Sequence, residues 1–189
     1  MLHSTSRLDL RKTKVLLVDD NPQSLELMTQ ILLGFRVDKT SGCRSPEEAR
    51  ELLTSAIFDL IIIDGEMPNE DGISLTRHIR GEPNLPNFTA PIIVVSGHTP
   101  AEKVIRARDA GANMIVKKPI APAVLLSRIE WLARNSREFV TTSNYCGPDR
   151  RFQHLPLPEG LPERRADTIA LTANPERAMS QDDVDALFG

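Results

Sequence analysis

Four short runs of consecutive apolar residues punctuate the chain: Val15-Leu16-Leu17-Val18, Leu60-Ile61-Ile62-Ile63, Ile92-Ile93-Val94-Val95 and Met114-Ile115-Val116. Unbroken apolarity, rich in β-branched side chains, is what a strand covered on both faces requires, as in a parallel sheet. A weaker run from Arg36 to Thr40 alternates polar and apolar residues and predicts a further strand at a sheet edge.

Helix signals fall between these runs. Asn21-Pro22 caps and opens a helix with Leu25, Met28, Leu32 and Leu33 at helical spacing, and Gly34 marks its end. Ser45-Pro46-Glu47-Glu48 reads as a capping box with proline in the first turn, and Thr99-Pro100-Ala101-Glu102 repeats the device before a helix to about Ala110. Another helix spans about Gly72 to Arg80. Pro122 opens the last of the series, with Leu125, Leu126, Ile129 and Leu132 as its apolar stripe. Five β-α units with short connections predict an α/β domain, an open parallel sheet wound with helices on both faces, over residues 13–136.

Residues 1–12 read as an N-terminal extension. After Phe139 the pattern is lost: Tyr145-Cys146-Gly147-Pro148-Asp149-Arg150-Arg151 is turn-like, and Pro156, Pro158, Pro162 and Pro175 punctuate a polar stretch. Residues 137–178 are therefore expected to be an extended or disordered linker, with a short amphipathic peptide at 179–189. Composition narrows the class further. A net charge of -3 over 189 residues argues against general nucleic-acid binding. No apolar run reaches the roughly 20 residues of a membrane span, and the polar N-terminus carries no signal-peptide stretch. Cys43 and Cys146 lack metal-ligand spacing and fit reduced thiols, so a cytoplasmic location is expected.

In an open α/β sheet, ligands gather at the C-terminal ends of the strands. The residues at those ends are Asp19-Asp20, Asp64, Ser96 and Lys118-Pro119. A lone strand-end aspartate is usually a cap or turn residue, which does not explain the whole set. Three converging carboxylates repel and favour protonation unless a cation joins them. An oxygen-rich, partly hydrated site of this kind suits Mg²⁺. A lysine and a small hydroxyl beside one carboxylate then make a site for phosphoryl transfer, with that carboxylate as nucleophile.

Val15-Leu16-Leu17-Val18-Asp19-Asp20-Asn21, Asp64-Gly65-Glu66-Met67-Pro68-Asn69-Glu70-Asp71-Gly72, Val95-Ser96-Gly97, Ala110-Gly111-Ala112 and Lys118-Pro119 together resemble the receiver domain of two-component response regulators. The resemblance implies a flavodoxin-like (βα)5 fold, strand order 2-1-3-4-5. It implies Asp64 as phosphoacceptor for a histidine kinase or phosphotransfer protein, with Mg²⁺ held by Asp20, Asp64 and the backbone carbonyl of Glu66, and by Asp19 through water. Ser96 and Lys118 would contact the phosphoryl oxygens, and the Lys118-Pro119 bond would be cis. The family's usual aromatic switch residue is Ile115 here, so Ser96 and Ile115 form an altered switch pair. Glu66 and His98 flank the path of an attacking water and are expected to tune phosphate lifetime.

The last residues recover a pattern. Ser180 can cap a helix with Asp183 three residues on, Met179 and Val184 stand in staple positions, and Val184, Leu187 and Phe188 share one face. The stretch is similar to the N-terminal receiver-binding peptide of the flagellar motor switch protein. That similarity implies binding to the face formed by the fourth helix, fifth strand and fifth helix of another receiver or of its own. The expected function is a signalling switch, not an enzyme of turnover, phosphorylated at Asp64 in chemotaxis or motility signalling and working through protein contact. Two alternatives remain: a phosphorylation-independent adaptor using the C-terminal peptide, and a phosphohydrolase. Glu66 in place of a second aspartate, with no substrate cap, argues against the latter.

Overall fold

The computed structural model describes residues 8–135, 137–142, 144–149 and 180–188. Five strands, β1 (Lys14–Val18), β2 (Lys39–Cys43), β3 (Leu60–Asp64), β4 (Ile92–Ser96) and β5 (Met114–Lys117), form one parallel sheet in the order β2-β1-β3-β4-β5. The expected flavodoxin-like order is therefore the observed one. Between the strands run α1 (Pro22–Gly34), α2 (Pro46–Ser55), α3 (Gly72–Gly81) and α4 (Ala101–Asp109), and α5 (Pro122–Arg134) follows β5.

Side chains leave a strand alternately to either face, so each apolar run feeds two cores. Leu16, Val18, Ile61, Ile63, Val94 and Ile115 belong to one, with Leu53 of α2, Ile79 of α3 and Val104 of α4. Leu17, Ile62, Ile93, Val95 and Val116 belong to the other, with Leu32 of α1 and Leu125 and Ile129 of α5. Full burial of one such aliphatic side chain is worth roughly 1.5–3 kcal/mol. The continuous runs are thus explained by coverage on both sides.

Three boundaries differ from the sequence reading. The edge strand is Lys39–Cys43 rather than Arg36 to Thr40. Arg36 has φ 66°, and the Val37 amide donates to Leu32 O at 3.0 Å, so this stretch closes α1 before the strand begins. Val37 is buried as part of that helix stop, and its apolarity mimicked a strand. At α4, Pro100 holds the cap position without a side-chain bond, whereas Ser45 does cap α2 by accepting from Glu48 N at 3.2 Å. Leu10, read as part of an extension, is buried in the second core.

The segment assigned to a linker begins with a hairpin, β6 (Phe139–Thr141) paired antiparallel to β7 (Cys146–Pro148). It lies against the start of β5 by backbone-to-backbone approach. A Cβ on Gly147 would stand 2.8 Å from Gly111 Cα, and one on Gly111, itself at φ +92°, would stand 2.6 Å from Cys146 O. Only glycine at both positions permits this contact. Arg80 of α3 fastens the same corner, donating to Gly111 O at 3.0 Å, Ala90 O at 2.8 Å and Asn113 Oδ1 at 3.1 Å, and stacking 5.3 Å from the Phe139 ring. Residues 150–179, which include most of the expected linker and Met179, lie outside the described residues.

A final helix, α6 (Gln181–Phe188), packs against β5 and α4. Among the described residues, no helix is long and apolar enough to cross a membrane.

Candidate functional site

The C-terminal ends of β1, β3, β4 and β5 place the acidic rim. Asp19 follows β1, where its amide donates to Cys43 O at 3.2 Å and its Oδ1 accepts from Asn21 N at 2.9 Å. These bonds orient its carboxylate as α1 begins. Asp64 ends β3. The chain after it can turn back because Gly72 opens α3 directly on the strand end: a Cβ there would lie 2.1 Å from Asp64 O. Asp71 caps α3, accepting from Ser74 N at 2.7 Å.

Carboxylate oxygens of Asp19, Asp20 and Asp64 all lie within 4.8 Å of one another. Lys118 reaches the cluster from β5, its Nζ 3.0 Å from Asp64 Oδ2 and 3.4 Å from Asp19 Oδ2. The Lys118-Pro119 peptide is cis, and the Lys118 amide donates to Ser96 O at 2.8 Å. Asp64 is only 6% exposed. Burial pushes its carboxyl above the usual range and the Asp19 charge adds to this, with the Lys118 ammonium opposing but not cancelling the effect. Burial pulls Lys118 down, yet its bond to Asp64 and the two negative charges prevail, and its pKa is raised. One ammonium among three carboxylates leaves net negative charge. An all-oxygen donor set with that deficit fits a hard divalent cation.

Ser96 sits at the end of β4, fully buried, and forms no bond to Asp64. Its Oγ lies 2.9 Å from Glu66 Oε1 and 2.7 Å from His98 O. The Glu66 carboxylate also accepts from Gly97 N at 3.1 Å, His98 N at 3.3 Å and Lys103 Nζ at 2.5 Å. Burial pushes Glu66 up, but Lys103, the Gly97 amide and Ser96 together hold it down at about 2. Glu66 is therefore an anion seated in the loop that joins β4 to α4. Its own amide points the other way, 3.3 Å from Asp64 Oδ1. Lys103 was not singled out from the sequence. Its signal is weak, an ordinary charged residue in the first turn of a helix, and only the fold brings it to Glu66.

Ile115 is fully buried in the first core. Of the C-terminal residues, Val184 is fully buried in that same core, whereas nothing is described for the side chains of Leu187 and Phe188. Gln181, Asp185 and Arg128, which the sequence reading passed over, make the polar contacts of α6. An apolar cavity of about 210 Å³ beneath α1, with Leu25, Met28 and Ile31 in its wall, adjoins Asp19, Asp64 and Lys118.

A parallel sheet of this order, with three aspartates and a lysine on its C-terminal rim, defines a flavodoxin-like α/β protein with an acidic, cation-ready site. Residues 15–130 match the response regulator receiver domain, and the chain belongs to that family. It is 36% identical over 129 residues to Protein PetR of Rhodobacter capsulatus, covering 67% of this chain and 51% of that protein. The chain thus spans about half the length of PetR. It is 30% identical over 117 residues to the chemotaxis protein CheY of Pseudomonas aeruginosa, covering 62% of this chain and 93% of CheY. Among solved structures, the receiver domain of the histidine kinase CKI1 from Arabidopsis thaliana complexed with Mg²⁺ is similar. The TM-score is 0.57 at 32% identity, covering 64% of this chain and 93% of that one.

Proposed function

We propose that this receiver accepts a phosphoryl group on Asp64 from a histidine kinase or phosphotransfer protein and passes the signal on by protein contact in the cytoplasm. The observation that carries the reading is the buried Asp64 carboxylate, 3.0 Å from Lys118 and within 4.8 Å of Asp19 and Asp20. In the transfer, the P–N bond of the donor phosphohistidine breaks as a P–O bond to Asp64 Oδ forms. Lys118 meets the added charge on the phosphoryl oxygens, and the Ser96 hydroxyl turns to another of them. Asp19, Asp20, Asp64 and the Glu66 carbonyl are the groups that would hold Mg²⁺, which supplies charge neutralisation for the transferring group. The chain is a switch rather than an enzyme of turnover.

Likeness to a chemotaxis protein over most of that protein's length, together with the last eleven residues, supports a place in chemotaxis or motility signalling. The test is incubation of the full chain with acetyl phosphate and Mg²⁺, followed by intact mass analysis. A phosphoryl adduct is expected in the wild type and its absence in Asp64→Asn. Equal labelling of both chains, or of neither, overturns the reading.

A further inference from the structure

Among the described residues β5 is the last strand of the sheet and pairs only with β4, so its outer backbone groups need other partners. One side chain of α6 supplies them. Gln181 Oε1 accepts from Lys117 N at 2.7 Å, and its Nε2 donates to Ile115 O at 3.2 Å. The same amide donates to Asp185 Oδ1 at 2.8 Å, one helical turn on, and Asp185 pairs with Arg128 of α5. Between these polar anchors Val184 enters the first core, where Ile115 and Val104 also lie.

The helix is specified for this seat. Ser180 Oγ donates to Asp183 Oδ2 at 2.7 Å, and the Asp183 amide donates back to Ser180 Oγ at 3.2 Å. Asp182 and Asp183 suit the positive end of the helix dipole. An eight-residue helix is not stable alone in water, so its formation and its seating are one event. The seat also adjoins the phosphoryl site. Lys117, gripped by Gln181, stands opposite Ser96 in the β4–β5 register and immediately precedes Lys118.

We infer that α6 is a latch, folded in cis onto the edge made by α4, β5 and α5, and that its seating opposes occupancy of Asp64. This inference rests on the phosphoacceptor reading of the site. In the latched chain Ser96 is committed to Glu66 and His98 O, and the backbone it pairs with is clamped from outside. Ser96 is the register partner of Lys117, so a shift of the end of β4 that brought Ser96 to a phosphoryl group on Asp64 would pull on the bond from Lys117 to Gln181. By linkage, whatever factor the latch takes from phosphoryl-site affinity, site occupancy takes from the latch. While seated, α6 also bars any other helix from this edge. Tethering raises its local concentration to the millimolar range, so an external helix must compete against that.

The test uses a fluorescent peptide of residues 179–189 and full-length chains. Val184→Asp and Gln181→Ala disable the latch without touching the edge it covers. Each is expected to bind the peptide at least tenfold more tightly than the wild type, by anisotropy. Asp185→Arg, which removes the partner of Arg128 and leaves the edge intact, is expected to open it in the same way. Equal peptide binding by wild type and latch variants, or none by any of them, overturns the latch. In the second arm, fluoroberyllate with Mg²⁺ is titrated by thermal shift. Val184→Asp is expected to bind it about three- to tenfold more tightly than wild type, and saturating fluoroberyllate is expected to weaken peptide binding to that variant by the same factor. An unchanged or weaker fluoroberyllate affinity overturns the coupling. A chain that ignores fluoroberyllate in every form sinks the phosphoacceptor reading and the coupling with it, while peptide competition still decides the latch.

Discussion

The Ser96 hydroxyl and the Glu66 carboxylate are hydrogen-bonded, Oγ to Oε1 at 2.9 Å, although both flank the site around Asp64. Glu66 thus occupies the Ser96 hydroxyl, one of the two donors proposed for an incoming phosphoryl group, and it carries the same sign of charge. Held at about 2, it stays ionised across the physiological range. Its removal has two effects of one direction: it frees Ser96 and withdraws a negative charge. One net hydrogen bond is worth about 1 kcal/mol, or roughly fivefold in affinity. Glu66→Ala is therefore expected to bind fluoroberyllate about fivefold more tightly in Mg²⁺, measured by titration against thermal shift. An unchanged or weaker affinity would show that Glu66 does not compete.

The crowding of Asp19, Asp20 and Asp64 is costly without a cation, so Mg²⁺ is expected to stabilise the fold. At roughly ten times its dissociation constant, a ligand specific for the folded state adds about 1.4 kcal/mol. For a chain of this size that corresponds to a rise in Tm of about 3–6 °C. Differential scanning calorimetry with and without Mg²⁺ measures it. Asp20→Asn is expected to lose most of the rise; a full rise in that variant would show that the ion binds elsewhere.

Arg80 is 2% exposed and has no carboxylate partner among its described bonds. Burial lowers its pKa to about 10, still far above neutral, so it remains a cation satisfied by carbonyl oxygens. Those carbonyls come from the segment before β4 and the turn before β5, at the opposite end of the sheet from Asp64. Arg80→Met keeps much of the volume but leaves several buried acceptors unpaired. The expected cost is about 3 kcal/mol in urea unfolding. Fluoroberyllate binding by the folded fraction is expected to persist, because no site residue is touched.

The strands were legible because burial on both faces leaves an unmistakable apolar run, and strand ends then locate Asp19, Asp20, Asp64, Ser96 and Lys118 on one rim without further information. Arg36 to Thr40 misled because Val37 is apolar for a different reason, the closing of α1. The hairpin was hidden because its contact with the sheet is made by Gly147 against Gly111, and glycine carries no hydrophobic signal. Arg80 shares a helix face with Ile73 and Thr76, but its charge conceals a buried position, and only the tertiary fold wraps it in carbonyls. The pairing of Glu66 with Lys103, and of Gln181 with Lys117, joins residues on separate elements whose spacing along the chain carries no period. Local pattern therefore located the acidic rim, whereas the contacts that restrain it depend on how the elements meet.

The two cysteines are expected to differ sharply in reactivity. Cys43 ends β2, is 3% exposed, and its Sγ lies 3.5 Å from Leu17 O. Burial, reinforced by the Glu48 charge, pushes its thiol up to about 12 from an ordinary value of 9.0. The thiolate is the nucleophile, so Cys43 is expected to resist iodoacetamide at pH 8 while Cys146, half-buried in β7, is alkylated first. Peptide mass mapping over time separates the two rates. The same shift sets a sign for stability. The unfolded chain releases the Cys43 proton near 9 and the folded chain only near 12, so between these values the folded state binds more protons. Cys43 thus contributes stability that is fully present below about pH 9 and is lost as pH rises toward 12. Cys43→Ala is expected to unfold with a shallower loss of stability over that interval than the wild type. An identical pH slope in both chains would show that the thiol ionises equally in the folded and unfolded states.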